Sequence, residues 1–405
     1  MSIRSWLPII GLTLCVFIFN ASEFMPIGLL TDISIDLGTS ESKTGLIISI
    51  YAWAVAILSL PIMLALRRMQ YRRMLLMCVT LFAGFQIMSG ISNSYSMLVV
   101  SRLGVAVSHS IFWSIATPLA VRVVDQNYQK LALSMVAAGT SIAMIVGLPL
   151  GRVIGLSLGW RMSFIVIAIL AFTALVLLVA TFPKVDNPGT FTLHRLPELV
   201  KNKALMGIYI MLAVYVTGYY TGYSYIEPFL ASAAGMSENM ITVVLTLFGL
   251  AGIVGSIVFT KAYDRIRYKF IMAALLGSAV CLALLLPSAS SLIAILVVSS
   301  FWGFFATSFN VSFQNETLRA APLDAAAVAT SLFSGIFNVG IAMGSIIGGV
   351  VSDNASVDDI GYIGALFVLA ASIFAGTYLI RHMKENDAKR DAMLSQYVNS
   401  RDPSV

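Results

Sequence analysis

Twelve apolar runs, each long enough to cross about 30 Å of hydrocarbon at about 1.5 Å per residue, constrain this chain more than any other feature. They fall near residues 6–30, 43–66, 73–92, 96–121, 130–156 and 160–182, then near 204–230, 237–260, 269–288, 291–318, 325–352 and 360–380. Backbone in hydrocarbon must satisfy its own hydrogen bonds, so runs of this length are helices. The expected fold class is all-α and polytopic, with twelve transmembrane helices in two six-helix bundles. Residues 1–182 form the first bundle, 183–203 a linker broken by Pro183, Pro188, Gly189 and Pro197, 204–381 the second bundle, and 382–405 a charged tail. Only 11% of residues are charged, against about 25% in a soluble domain. Apolarity continues past Glu23 to Leu30, so the first run reads as an uncleaved span rather than a signal peptide.

The net charge of +6 is explained by topology. Arg4, the Arg67–Arg73 loop, Arg122 and Lys130, the linker, then Lys261, Arg265, Arg267 and Lys269, then Arg319 and the tail alternate to one side of the spans. The opposite loops carry Asp32, Asp36, Glu41, Glu238, Asp353, Asp358 and Asp359, with Lys43, Arg152 and Arg161. The basic side is expected to be cytoplasmic, and with it both termini and the linker. Localisation is a multi-pass cell membrane protein, in the inner membrane if the source has two. No basic-aromatic patch suggests nucleic acid. Cys15, Cys78 and Cys281 sit in apolar runs without metal-ligand spacing, and no cofactor is expected. The partners are the lipid bilayer and a small molecule, and the chain is expected to act as a monomer.

Within the fifth run Gly147, Gly151 and Gly155 recur every four residues, which makes one smooth helical face for close approach of a neighbour. Pro149 removes a backbone hydrogen bond inside that face. The halves also repeat: Leu98-Val99-Val100-Ser101 returns as Leu296-Val297-Val298-Ser299, and Gly139, Gly147 and Gly151 as Gly335, Gly344 and Gly348. A parallel repeat places a substrate site between the halves. The loop after helix 8 keeps Gly255, Asp264 and Arg265, a candidate gating group, while the loop after helix 2 has the basic cluster without the aspartate.

Ionised groups in mid-bilayer cost about 2.5–3.5 kcal/mol on insertion scales, so each needs a reason. Helix 1 carries Asn20 and Glu23 on one face, and helix 4 carries Arg102, His109 and Trp113 on one stripe. Counting depth puts Glu23 level with Arg102, so an ion pair or charge-assisted hydrogen bond between them is expected, with His109 nearer the midplane. Glu23 could instead be an interfacial carboxylate, His109 a neutral imidazole on a backbone carbonyl, and Arg102 a packing bolt. The second half offers phenols and amides: Tyr219, Tyr220 and Tyr223 in helix 7, Trp302 and Asn310 in helix 10, and Asn338 in helix 11. Such groups suit a neutral hydroxylated molecule better than an ion, although interfacial and interhelical roles remain open for them.

Gly147-Leu148-Pro149-Leu150-Gly151 resembles the helix-5 antiporter motif of the major facilitator superfamily. Further pieces are Phe19-Asn20 leading to Glu23-Phe24 and Pro26, Tyr51-Ala52-Trp53, Ser101-Arg102 with His109 and Phe112-Trp113-Ser114, Tyr223 to Pro228, Phe301-Trp302-Gly303, and Phe333 to Asn338. Together they resemble the bacterial sugar efflux transporters of its drug:proton antiporter branch. That resemblance implies the major facilitator fold and export of arabinose-like or thiogalactoside-like sugars by alternating access, driven by protons. It implies proton coupling through Glu23 and His109, with Arg102 tuning Glu23. It also implies a cavity drawing on Asn20, Tyr51, Trp53, Trp113, Tyr219, Tyr220, Tyr223, Trp302, Asn310 and Asn338. The alternatives are a multidrug:proton antiporter and a passive sugar facilitator. Gly155-Leu156-Ser157-Leu158-Gly159 matches the serine-hydrolase pattern, but that motif needs a strand-to-helix elbow, and an enzyme is not expected.

Overall fold

A computed structural model describes residues 3–66, 68–185, 196–322 and 326–388, among which no strand occurs. Linker residues 186–195 and tail residues 389–405 lie outside the described residues. The first half contains α1 (Ile3–Phe24), α2 (Glu41–Leu66), α3 (Tyr71–Gly90), α4 (Tyr95–Arg122), α5 (Gln129–Leu158) and α6 (Trp160–Thr181). In the second half α7 (Lys203–Tyr223) is followed by two crossings, α8 (238–265) and α9 (267–283), which meet at a kink at Ile266. Then come α10 (Leu292–Ala320), α11 (Ala326–Asn354) and α12 (Ile360–Phe374). The last helix continues through a π turn, Ala375–Leu379, to residue 388, beyond the expected bundle edge at Arg381.

Two local departures from the sequence reading have physical causes. The basic stretch after α8 is helical rather than a loop, because nothing in it breaks a helix, and the chain turns at Ile266, where φ is −130° and ψ 30°. Near the opposite face, α1 gives way after Phe24 to a 3₁₀ segment, Met25–Leu29, whose start carries Pro26. Proline supplies no N–H and fixes φ, so it fits the first positions of a new helical segment and ends the old one. A short helix, Leu30–Asp36, completes the crossing.

Inside each half, glycines set the closest helix contacts. A Cβ at Gly147 would lie 2.9 Å from Ala21 Cα, while Cβ atoms at Gly151 and Gly155 would overlap the side chains of Met25 and Leu29. Three glycines four apart on α5 thus meet three residues four apart, Ala21 on α1 and Met25 and Leu29 on the 3₁₀ segment that follows it. The second half repeats this with α11 on α7: Gly340 faces Val216, Gly344 the Thr217 carbonyl and Gly348 the Thr221 carbonyl. Gly335, expected to take part in the repeat, has nothing within 4 Å of such a Cβ, and Gly340 occupies that role instead. Between the halves α2 packs on α11 and α5 on α8. Ile169, Phe172, Val176 and Val179 are all more than half exposed along α6, an apolar stripe of the kind that faces lipid. The hydrolase-like stretch forms no elbow. It ends α5, with Ser157 Oγ donating to the Val153 carbonyl and Gly159 at φ 87° making the turn into α6.

Candidate functional site

Helices α1, α2 and α4 gather a polar seam inside the first half. Glu23 Oε2 lies 3.7 Å from His109 Nε2, and the two side chains are 10% and 4% exposed. On the other side of the imidazole, Nδ1 is 2.6 Å from the Tyr51 hydroxyl. The three groups form a continuous line from a carboxylate through an imidazole to a phenol.

Arg102 does not make the expected ion pair with Glu23. Its Nη1 donates to the Ser22 carbonyl at 3.2 Å and to Ser22 Oγ at 3.3 Å, and its guanidinium lies 4.5 Å from the Tyr51 ring centroid. The reason is rotational: successive residues on a helix point about 100° apart, so Ser22 faces Arg102 and Glu23 turns toward His109. Gln86 also donates to Ser22 Oγ, and Ser89 and Ser101 pair at 2.8 Å. Arg102 therefore bolts α4 to α1 and α2, a packing role that leaves Glu23 free of a direct cation.

The second half holds a cavity of about 620 Å³, including its open mouth, lined by Phe24 of α1 and by Tyr215, Tyr219, Tyr220, Tyr223, Phe248, Phe309, Asn310 and Phe337. No lining residue carries a formal charge. The rings pack as a sleeve, with Tyr219 stacked on Tyr223 at 5.1 Å and Trp302 edge-on to Tyr223 at 5.9 Å. One turn along α10, Gln314 Nε2 donates to Asn310 Oδ1 at 2.8 Å and is exposed.

Of the residues expected in the cavity, Tyr219, Tyr220, Tyr223 and Asn310 line it, and Trp302 backs it, fully buried against Tyr219 and Tyr223. Asn20 and Asn338 are turned into their own helices, donating to Val16 and Ser334 carbonyls, although Asn338 Oδ1 stays buried without a partner. Trp113 packs on His109 at 6.0 Å and Tyr51 belongs to the polar seam. Trp53 is half-buried and outside the lining. Phe24, Tyr215, Phe248, Phe309 and Phe337 line the cavity without having been singled out as site residues; only a helical-wheel match to Tyr219 could have pointed to Tyr215. Asp264 and Arg265 are exposed and make no ion pair among the described residues. The neighbouring Arg267 carries the charge network there, bonding Glu316 of α10 and Asp387 beyond α12.

At the far end, away from the termini, polar contacts join the halves. Arg152 of α5, fully buried, contacts Glu227 at 3.3 Å and bonds Glu238 and the Gly28 carbonyl. Thr31 donates its N–H to Glu227 at 3.1 Å, and its hydroxyl lies 2.8 Å from the same oxygen. Ser345 Oγ donates to the Gly45 carbonyl at 3.2 Å. The cavity is thus closed at the far end.

Two six-helix halves joined by polar contacts at one end, with a cavity lined from both, are the architecture of a membrane transporter, not an enzyme. The chain belongs to the Major Facilitator Superfamily, which it matches over residues 12–229 and 208–397. It is similar in fold to the crystal structure of a bacterial homolog of the human lysosomal transporter Spinster, in an inward-facing and unoccupied conformation. That likeness covers 95% of this chain and 99% of the other, at 13% identity and a TM-score of 0.73.

Proposed function

We propose that the protein is a proton-coupled antiporter that exports small neutral sugars or glycosides by alternating access. The observation that carries this reading is the separation of two chemistries: a buried Glu23–His109–Tyr51 line in one half and an uncharged aromatic cavity in the other. Aromatic faces pack against the C–H surfaces of a sugar ring, while Asn310 and the phenols exchange hydrogen bonds with its hydroxyls. A cavity for amphipathic cations calls for a carboxylate in its lining, which disfavours the multidrug reading.

Glu23 and His109 can each take and release a proton, whereas Arg102 stays charged and serves as scaffold. A pH difference of one unit supplies about 1.4 kcal/mol per proton and 100 mV about 2.3 kcal/mol per charge moved. With the basic loops cytoplasmic, the cavity opens inward in this conformation and the far end faces outside. The test is sugar uptake into inverted vesicles under an imposed pH gradient, with a panel of sugars and amphipathic cations. Sugar accumulation that collapses with the gradient supports the proposal. Accumulation of cations alone, or gradient-independent equilibration of sugar, overturns it.

A further inference from the structure

The far-end contacts between the halves are built from ionisable groups. We infer that Arg152 and Glu227 form the outer latch of the transport cycle, with Glu238 at its rim, and that a proton taken up by Glu227 from outside releases it. The inference rests on the alternating-access reading but not on the identity of the substrate. Three observations converge on it.

First, the pair crosses the boundary that must part. Arg152 lies on α5 of the first half, directly after Gly151, and is fully buried; Glu227, 1% exposed, follows α7 in the second half. Separating buried partners leaves each charge uncompensated, so the pair holds the far end shut as long as both are ionised. Second, Glu238 starts α8 and is 55% exposed, so water reaches the latch from the outer rim without the halves moving. Third, the hydroxyl of Thr31 sits 2.8 Å from Glu227 Oε2 and 3.0 Å from Glu41 Oε1. Its single hydrogen is either shared between the two carboxylates in a three-centre bond or donated to one of them while the other brings its own proton, so protonating either carboxyl rearranges the hydrogen bonding at the latch.

The surroundings set the direction. Arg152 of α5 and Thr31 contact Glu227 directly. The charged groups carried by the elements around it are Asp32 and Asp36 of the short helix after α1, with Asp36 engaged by Arg161 at 2.7 Å, Glu41 and Lys43 of α2, Glu238 of α8, and Asp358 and Asp359 of the turn before α12. Carboxylates outnumber cations there, so acidification outside neutralises excess negative charge at the latch and weakens its hold on Arg152. A proton that opens the far end also uncovers the route to Glu23, which lies one residue before Phe24 of the cavity. In this arrangement the proton acts first on the gate and then on the coupling pair.

The test is a distance measurement without substrate, on the full chain in lipid nanodiscs. Spin labels are placed at positions 40 and 354, both exposed at the far end of opposite halves. In the wild type, lowering the pH from 8 to 5 is expected to raise the far-end-open population about tenfold. Glu227→Gln, which keeps acceptor capacity for Thr31, is expected to be open at both pH values, and Arg152→Gln likewise. Glu238→Gln is expected to shift the population only a few-fold. Folding is checked by monodispersity and by the label distance within one half, so that a collapsed variant is recognised, and the wild-type pH response stands as an independent arm. A wild-type distribution that ignores pH, or a Glu227→Gln variant that still responds to it, overturns the inference. Because no sugar is present, these outcomes are separate from the failure of sugar export.

Discussion

The two halves share a scaffold and differ in what they bury. In each, small residues four apart let the fifth helix ride on the first, α5 on α1 and α11 on α7. The first half then buries Arg102, His109, Gln86 and Ser22 in a hydrogen-bonded seam, while the second buries Tyr215, Tyr220, Tyr223, Trp302 and Phe309 around a cavity. A proton site needs titratable groups held at fixed distance, and a sugar site needs broad, uncharged faces. Under the proposed function this difference gives coupling to the first half and recognition to the second, joined by the rocking of one half on the other.

The variant that breaks this division most severely is Glu23→Gln. It preserves shape and hydrogen-bonding capacity but cannot release a proton, so gradient-driven accumulation in vesicles is expected to vanish while sugar binding stays within about two-fold of wild type. If the Gln variant still concentrates sugar, the first half does not hold the essential carboxylate.

Next in size is Gly151→Leu, which strikes the shared scaffold. Even a Cβ at this position overlaps the Met25 side chain, and overpacking of this kind costs about 1–3 kcal/mol. Because Gly151 adjoins Arg152, the strain falls on the α1–α5 contact beside the latch. Transport turnover is expected to fall about ten- to a hundred-fold, with expression and equilibrium sugar binding retained. Unchanged turnover in proteoliposomes would show that this contact does not carry the motion.

Tyr219→Ala tests the recognition half alone. The ring stacks on Tyr223 and lines the cavity, and aromatic contacts contribute about 0.5–1.5 kcal/mol beyond area burial. Sugar affinity by calorimetry is expected to weaken about tenfold, with the pH dependence of transport unmoved. A shifted pH profile with intact affinity would reverse the assignment of the halves.

How much of this was legible in the sequence depends on the range of the interaction. The twelve crossings and the six-plus-six plan follow from hydrophobic length alone, and the glycine face of α5 follows from helical period. Glu23 and His109 were found because a charge in an apolar run demands a reason. Their contact was not foreseen, since depth along the membrane normal says nothing about rotation, and rotation decided that Ser22 rather than Glu23 meets Arg102. Arg152 was read as one more loop cation, because its carboxylate partner Glu238 lies 86 residues away on another helix. The break between the runs at 260 and 269 is legible in the sequence, but it reads as a loop; that helix persists up to Ile266 is not legible, because tertiary packing rather than a breaker residue supplies the turn.

The smallest effect sharpens the boundary between the halves at Tyr51, which the sequence groups with the substrate site and the structure places in the polar seam with His109. Its hydroxyl lies 2.6 Å from His109 Nδ1. A neutral imidazole carries one N–H. If the phenol donates to Nδ1, the hydrogen sits on Nε2 and faces Glu23, so Tyr51 fixes which nitrogen takes part in proton exchange. Tyr51→Phe removes that choice but keeps the ring under the Arg102 guanidinium, which lies 4.5 Å from its centroid. One hydrogen bond is worth about 0.5–1.5 kcal/mol, so gradient-driven export is expected to fall about two- to tenfold, with sugar affinity unchanged. Tyr51→Ala, which also loses the stacked cation, is expected to lose more and to loosen α4 from α2. Weakened sugar binding in the Phe variant would return Tyr51 to the substrate site and blur the division between the halves.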